Sequence, residues 1–445
     1  MKELIKTLLA DIIRKIAPDF TGEISVEIPE NKSYGDYSSN IAYSLAKISK
    51  KSPQTVAEDL AKKLSNQKIS DFSKIEAKNG FINFFLSEEC LRHQLEEILK
   101  KKNKYGISGI GKNYKINIEF ISANPTGPLT IGNGRGGFYG DVLANILSSK
   151  GHMVSREYYI NDRGGQISTL GRSIKKAQGE RILDEEIYKG EYINELAGQI
   201  DKNLNADEAG KKAADLILKN YIKPVLKNLG IKFDIWFSEK SLYMKDKYEK
   251  VLSNLMKSDL VYEEDGATWM KTSVLGDSED RVLIKSDGGE TYFLSDILYH
   301  YDKFITRKFY KAIDIWGADH HGYAPRLKAA LKALNISEEN LDIIITQFVR
   351  LVSGGKEVKV SKRAGTFITL EELVKEVGLD AARFLFLMYS PNTHMDFDMK
   401  LAKERSQKNP VYYVQYAHAR LSSILKKATS DKRQATNLKL LKTKN

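Results

Sequence analysis

One cysteine among 445 residues, Cys90, excludes an internal disulfide framework and a multi-cysteine zinc site, and points to a reducing, cytoplasmic setting. Histidine is scarce as well, and no apolar run approaches the roughly 18 residues of a membrane span, so no membrane partner is expected. Met1 to Ala17 reads as an amphipathic helix broken by acids and bases, not as a secretory leader. Acids fall short of bases, 58 Asp plus Glu against 70 Lys plus Arg, for a net charge of +12. That excess fits a polyanionic partner, although a lysine-rich chain with well-solvated faces would give the same balance. The length implies two or three domains.

What is present centres on residues 117–141. Ile116, Ile118 and Phe120 alternate against polar neighbours as in a strand, and Pro125, Gly127 and Pro128 impose a turn. Phe138, Val142, Leu143, Ile146 and Leu147 then follow at helical spacing. A strand feeding a glycine-lined helix start presents bare backbone N–H groups to phosphate. Gly132, Gly134 and Gly137 also fit G-x-G-x-x-G, with Glu157 twenty residues further on where a dinucleotide site wants an acid. The preceding turn is too long and proline-rich for that fingerprint. The same glycines could serve only close helix–strand packing.

Residues 1–100 read as a separate α+β unit, with helices near 1–17, from Ser39 to Lys50, and from Pro53 behind a Ser52 cap, and a strand from Phe81 to Leu86. Gly35-Asp-Tyr ahead of the second helix offers a nucleic-acid contact, but a structural turn with an acidic helix start is expected from the pattern. From 101 to 390, strands and helices alternate, which argues α/β with a parallel, Rossmann-like sheet. Val154–Ile160, Ala312–Trp316 and Ile343–Leu351 are its later strands, and 166–265 reads as a mostly helical, charged insertion. Gly317-Ala-Asp-His-His-Gly-Tyr ends a strand where open α/β sheets place ligands, so Gly317 and Asp319 are candidates for holding sugar hydroxyls. His320 and His321 lack a third partner at ligand spacing, and no metal site is expected. Gly354 to Thr366 forms a basic loop able to close on polyphosphate, or a solvated surface loop. Residues 391–445 turn helical, and Tyr412, Tyr413, Tyr416, His418 and Arg420 mix aromatics with base; core packing is expected for most of them.

Together these segments resemble class I aminoacyl-tRNA synthetases, specifically the arginyl-tRNA synthetase family, across essentially the whole chain. Ser122-Ala-Asn-Pro-Thr-Gly-Pro-Leu-Thr-Ile-Gly-Asn-Gly-Arg-Gly is similar to that family's HIGH motif, and Lys359-Val-Ser-Lys-Arg-Ala-Gly to its KMSKS loop. Arg156-Glu-Tyr-Tyr-Ile-Asn-Asp, the Gly317 segment and Asn409-Pro-Val-Tyr-Tyr-Val-Gln-Tyr-Ala-His-Ala-Arg follow in the family's order. Thr130 and Asn133 stand where the family usually has histidines, so neutral donors replace a side chain able to carry charge. The resemblance also implies that residues 1–100 touch the outer corner of tRNA. Only the opening helices of an anticodon-binding domain are expected at 391–445.

The resemblance implies ATP-dependent ligation of L-arginine to tRNA(Arg) through an arginyl-adenylate, with Mg2+ on the polyphosphate. Activation is then expected to need tRNA, in a monomer. Catalysis would be positioning and charge stabilisation by Thr130, Asn133, Lys359 and Lys362, with Gly132, Gly134, Gly317, Asp319, His320 and Ser361 on ATP. Tyr292 and Asp296 match the family's Tyr-x-x-x-Asp element for the guanidinium, and Asn124 and Glu119 would take the α-amino group. From residues alone, Asp296 could equally be a helix N-terminal acid. Two other readings are weighed: a tRNA-binding relative with weak or no charging, and a nicotinamide-linked oxidoreductase resting on the glycine fingerprint alone.

Overall fold

The computed structural model describes residues 1–183, 186–357 and 368–442, which divide into two compact units, Met1–Ile107 and Ser108–Asn445. In the first, helices α1 (Lys2–Ile16), α2 (Ile41–Ser49) and α3 (Pro53–Ser65) cover an antiparallel sheet. Its strands β1 (Tyr37–Ser39), β2 (Phe72–Lys78) and β3 (Phe81–Leu86) run in the order β1-β3-β2. Ser52 caps α3 by accepting from the Thr55 N–H at 3.1 Å, just ahead of Pro53 at the first helical position. Gly35 takes φ +91°, and Asp36 accepts from the Leu86 N–H at 2.8 Å, which makes that turn structural. Helix α4 (Glu88–Lys101) follows.

The second unit is built on a parallel sheet. Its strands are β4 (Lys115–Glu119), β5 (Met153–Ile160), β6 (Ile235–Ser238), β10 (Lys311–Gly317) and β11 (Leu341–Thr346), in the order β11-β10-β4-β5-β6. Chain order therefore reverses between β4 and β10, the switch point at which open α/β sheets bind ligands. Ile116, Asn117, Ile118 and Glu119 of β4 are all buried, because helices cover both sheet faces; the expected alternation is absent for that reason.

Several elements differ from the sequence reading. Helix α5 (Ile131–Ser149) starts at Ile131, so the glycines lie inside its first turns and not ahead of it. Strand β6 completes the sheet from within the stretch read as helical, which also contains α6 (Gly165–Ala177), α7 (Glu191–Gln199), α8 (Ala206–Ile217), α9 (Lys223–Asn228) and α10 (Lys245–Met256). A small antiparallel sheet, β7 (Val261–Glu264), β8 (Ala267–Met270) and β9 (Arg281–Ile284), precedes α11 (Tyr292–Tyr301). Beyond β10 come α12 (Ala324–Ala333) and β11. Residues 343–351 then split between β11 and β12 (Val349–Ser353), which pairs with β13 (Lys356–Glu357) and β14 (Met395–Asp398) in a separate sheet. Helices α13 (Leu370–Val377), α14 (Leu379–Leu387) and α15 (Met399–Lys403) lead to α16 (Pro410–Lys442). Tyr413 and Tyr416 of α16 are more than half exposed, against the packing expected of them; among the side chains described in this helix, up to Ser430, the burial is confined to the first turn, at Val411. No helix among the described residues is long and apolar enough to cross a membrane.

The α6–α8 crossing is close, backbone against backbone. A Cβ on Gly171 would lie 1.7 Å from the Ala206 carbonyl oxygen, and one on Gly210 would lie 2.2 Å from that of Ile167. Gly171→Ala must push two backbones apart and is expected to cost about 1–3 kcal/mol. Gly198→Ala in α7, where a Cβ meets nothing within 4 Å, should be neutral or slightly stabilising. Urea unfolding of the two variants checks this contrast.

Candidate active site

The strand-to-helix turn after β4 is held in a strained shape. Ile121 and Ser122 take φ +68° and +39°, unusual for residues with a side chain and most of all for a β-branched one. Neighbours fix it: the Ser122 hydroxyl accepts from the Tyr159 N–H at 3.0 Å, and the Tyr158 hydroxyl donates to the Ala123 carbonyl at 2.8 Å. Asn124 stands in this turn, partly buried.

At the head of α5, Thr130 is the N-cap. Asn133 Oδ1 accepts from the Thr130 N–H at 2.8 Å and from its hydroxyl at 3.1 Å. A backbone N–H can only donate, so the amide orientation is settled: Oδ1 faces the cap, leaving Nδ2 as the donor group. The Thr130 hydroxyl proton is thereby engaged in the cap. A Cβ on Gly132 would meet only Thr130 Oγ1 at 3.8 Å, whereas one on Gly134 would lie 2.6 Å from Leu370 Cδ1. Gly132 thus keeps the first turn open, and Gly134 serves packing. Thr369 bridges Thr130, and the Leu370 N–H donates to the Leu129 carbonyl at 2.9 Å, which brings the chain back against this helix start. Lys359, Ser361 and Lys362 lie outside the described residues.

A second cluster sits at the start of α11. Thr291 caps the helix, accepting from the Leu294 N–H at 3.3 Å, and places Tyr292 and Asp296 one turn apart on one face. Tyr292 is 59% exposed; Asp296 is half-buried and accepts a hydrogen bond from the Tyr323 hydroxyl. One side chain here has no sequence signature: Glu239, just after β6. Its Oε1 accepts from the Ser295 hydroxyl at 3.0 Å, and its Oε2 lies 2.8 Å from the Asn161 amide nitrogen when that amide is oriented to donate. Arg163 stacks on Tyr243, 3.5 Å from the ring centre, and pairs with Glu290. Burial pushes Asp296 up to about 6, with Glu119 and Asp314 adding to the rise, and pushes Glu239 up to about 7, where the charge of Asp296 adds to it. Two carboxylates so raised, beside a tyrosine, favour a planar cation that would restore both to anions.

Between these clusters runs a row of three carboxylates in register across the central strands, Glu157 of β5, Glu119 of β4 and Asp314 of β10. The π-helical continuation of α11, Asp302–Thr306, sends cations into it. Lys303 Nζ donates to Glu119 and to Asp314, both at 2.8 Å, and Arg307 pairs with Glu157. His300 Nε2 lies 2.9 Å from Asp314 and Nδ1 lies 2.8 Å from the Asp296 carbonyl oxygen, which ties the row to α11. Glu157, fully buried and bound to Arg307 and Tyr299, belongs to this network; it does not stand at a ribose site as the dinucleotide fingerprint would require. Gly317 ends β10 beside the row. Asp319 and His320 are exposed and 3.6 Å apart on the following turn. The structure thus places Glu119 and Gly317 at the carboxyl ends of β4 and β10, where His300 links Asp296 to Asp314, while Tyr292 stands exposed at the head of α11.

Comparison with known proteins agrees over nearly the whole chain. Residues 3–86 match the arginyl tRNA synthetase N terminal domain, and residues 94–402 match the catalytic domain of class I (R) tRNA synthetases. The chain is 42% identical to an arginine–tRNA ligase of Aquifex aeolicus, covering 96% of this chain and 81% of that one. It is 46% identical to the one of Thermotoga maritima, covering 91% and 77%. A solved Thermus thermophilus arginyl-tRNA synthetase shares its fold, with a TM-score of 0.76 at 21% identity over 96% of this chain and 82% of that one.

Proposed function

The chain belongs to the class I arginyl-tRNA synthetase family and is an arginine–tRNA ligase, and from that premise we propose how its own residues carry ATP-dependent joining of L-arginine to tRNA(Arg). The observation that supports this reading of the arginine site is the pair of raised carboxylates brought together at α11, Asp296 on the helix and Glu239 bound to the adjacent Ser295. Asp296 accepts two guanidinium N–H groups in fork geometry, which a lysine ammonium cannot reproduce. Glu119 and Asn124 take the α-amino group. That leaves the substrate carboxylate directed at the head of α5.

The substrate carboxylate attacks the α-phosphorus of ATP, and the bond to the bridging oxygen breaks to release pyrophosphate. The terminal ribose hydroxyl of tRNA then displaces AMP from the adenylate. No side chain forms a covalent bond in either step. Backbone N–H groups at Gly132 and the Asn133 Nδ2 hold phosphate oxygens, helped by the positive end of the α5 dipole. Lys359 and Lys362 add positive charge to the β- and γ-phosphates, where Mg2+ on the polyphosphate would supply further charge neutralisation. Gly317 and Asp319 hold the nucleoside. Residues 1–100 contact tRNA, and a cytoplasmic setting fits the single, buried Cys90.

Incubation of the protein with labelled arginine, MgATP and total tRNA is expected to yield arginyl-tRNA, with pyrophosphate exchange only when tRNA is present. Retention of tRNA without any arginyl ester would instead favour the non-charging relative.

A further inference from the structure

We propose that Lys303 is a positioning residue for the substrate's α-amino group, holding Glu119 by one carboxylate oxygen so that the rest of that carboxylate serves the ammonium. The inference rests on the reading of Glu119 as an α-amino ligand and extends it to a residue that touches no substrate.

Lys303 is fully buried, and its ammonium sits 2.8 Å from Glu119 Oε2 and 2.8 Å from Asp314 Oδ1. The three groups differ in access. Lys303 and Asp314 are closed off, at 0% and 1% side-chain exposure, whereas Glu119 retains 11%. Only Glu119 of this trio can reach a ligand at the strand ends. The Tyr299 ring lies under the ammonium at 4.2 Å, and His300 holds the other oxygen of Asp314. Lys303 therefore has one geometry, and Glu119 inherits it.

The charges that face Glu119 explain why a buried cation is needed. Glu157 and Asp314 flank it on the neighbouring strands, and Asp296 approaches from α11, together with the hydroxyls of Tyr159 and Tyr299. Burial and these acids push Glu119 upward, and Lys303 opposes them. Burial alone would lower Lys303, yet Asp314 and Glu119 hold its ammonium above the ordinary lysine range. A cation held this firmly gives the Glu119 carboxylate a fixed positive partner. The π-helical turn matters because it aims both Lys303 and Arg307 from one segment into one row of acids.

The test compares L-arginine with 5-guanidinopentanoate, which lacks only the α-amino group, by isothermal titration of the full chain. Lys303→Met is expected to weaken arginine about ten- to a hundredfold, the worth of one charge-assisted hydrogen bond, and to leave 5-guanidinopentanoate within about twofold. Lys303→Gln keeps a donor without the charge; it should show the same selective loss and provides the measurement if Lys303→Met does not fold. Equal losses for both ligands, or no loss for arginine, overturn the inference. Glu119→Gln separates the two levels. If it fails to discriminate the ligands, the reading of Glu119 is wrong; if it discriminates and the Lys303 variants do not, only the positioning role falls.

Discussion

Asp296→Asn is expected to lower kcat/KM for arginine about a thousandfold, while the KM for ATP stays within about twofold of wild type. Asparagine preserves the shape and one acceptor, so the Tyr323 hydroxyl keeps its partner. The other oxygen becomes an NH2 group that meets guanidinium N–H donors head-on, and the pair loses its charge. Breaking one half of a desolvated ion pair carries a penalty of about 3–5 kcal/mol, which sets the scale of the effect. Stability should move the other way. Asp296 is raised to about 6 by burial, so its ionised form opposes folding at pH 8, and the neutral variant should melt no lower than wild type there. A variant that loses activity and stability together would mean that Asp296 is a structural acid. Arginine kinetics, ATP kinetics and a thermal melt on the same preparation decide the matter.

Asp296 was legible because its spacing is local. Tyr292 and Asp296 lie four apart behind a Thr291 cap, and the family resemblance gives that spacing a meaning which the residues alone left open. Thr130 and Asn133 were legible in the same way, three apart at a helix head, although their mutual hydrogen bonds were not. Glu239 was not legible: it follows a short strand in a charged stretch, and only the fold brings it to Ser295. The row Glu157, Glu119 and Asp314 depends on strand order, which no window of sequence contains. That is why Glu157 could be read as a ribose acid. Residues 343–351 read as one strand because both halves are apolar; the break at Gln347 and Phe348 comes from distant contacts. Arg135 reaches from α5 to the carbonyls of Gln347 and Ser390, and the Gln347 N–H donates to Pro391. The exposed aromatics of α16 show the opposite limit: helical spacing tells which residues share a face, not what that face meets.

The pH dependence of arginine capture follows from the same two acids. In the free enzyme Asp296 is raised to about 6 and Glu239 to about 7, burial being the main cause for each. Both must be anions to receive the guanidinium, and kcat/KM reports the free enzyme's ionisations. Log kcat/KM for arginine should therefore be level above pH 7, fall with unit slope below it, and approach a slope of two below pH 6. From pH 8 to pH 5 the loss amounts to about a thousandfold, the product of the two ionised fractions. Like charges in one pocket titrate as a pair, so the observed midpoints belong to the pair. The linked effect on stability has the opposite sign. These acids hold protons more tightly folded than unfolded, so the native state is favoured at low pH, and that contribution fades as pH climbs from the ordinary carboxylate range through about 7. Bound arginine reverses the penalty by supplying the missing cation. The rise in melting temperature at a fixed arginine concentration should consequently be larger at pH 8 than at pH 5. Glu239→Gln should leave a single bend, with a limiting slope of one in place of two. A profile flat from pH 5 to 8 would mean that these carboxylates do not receive the substrate.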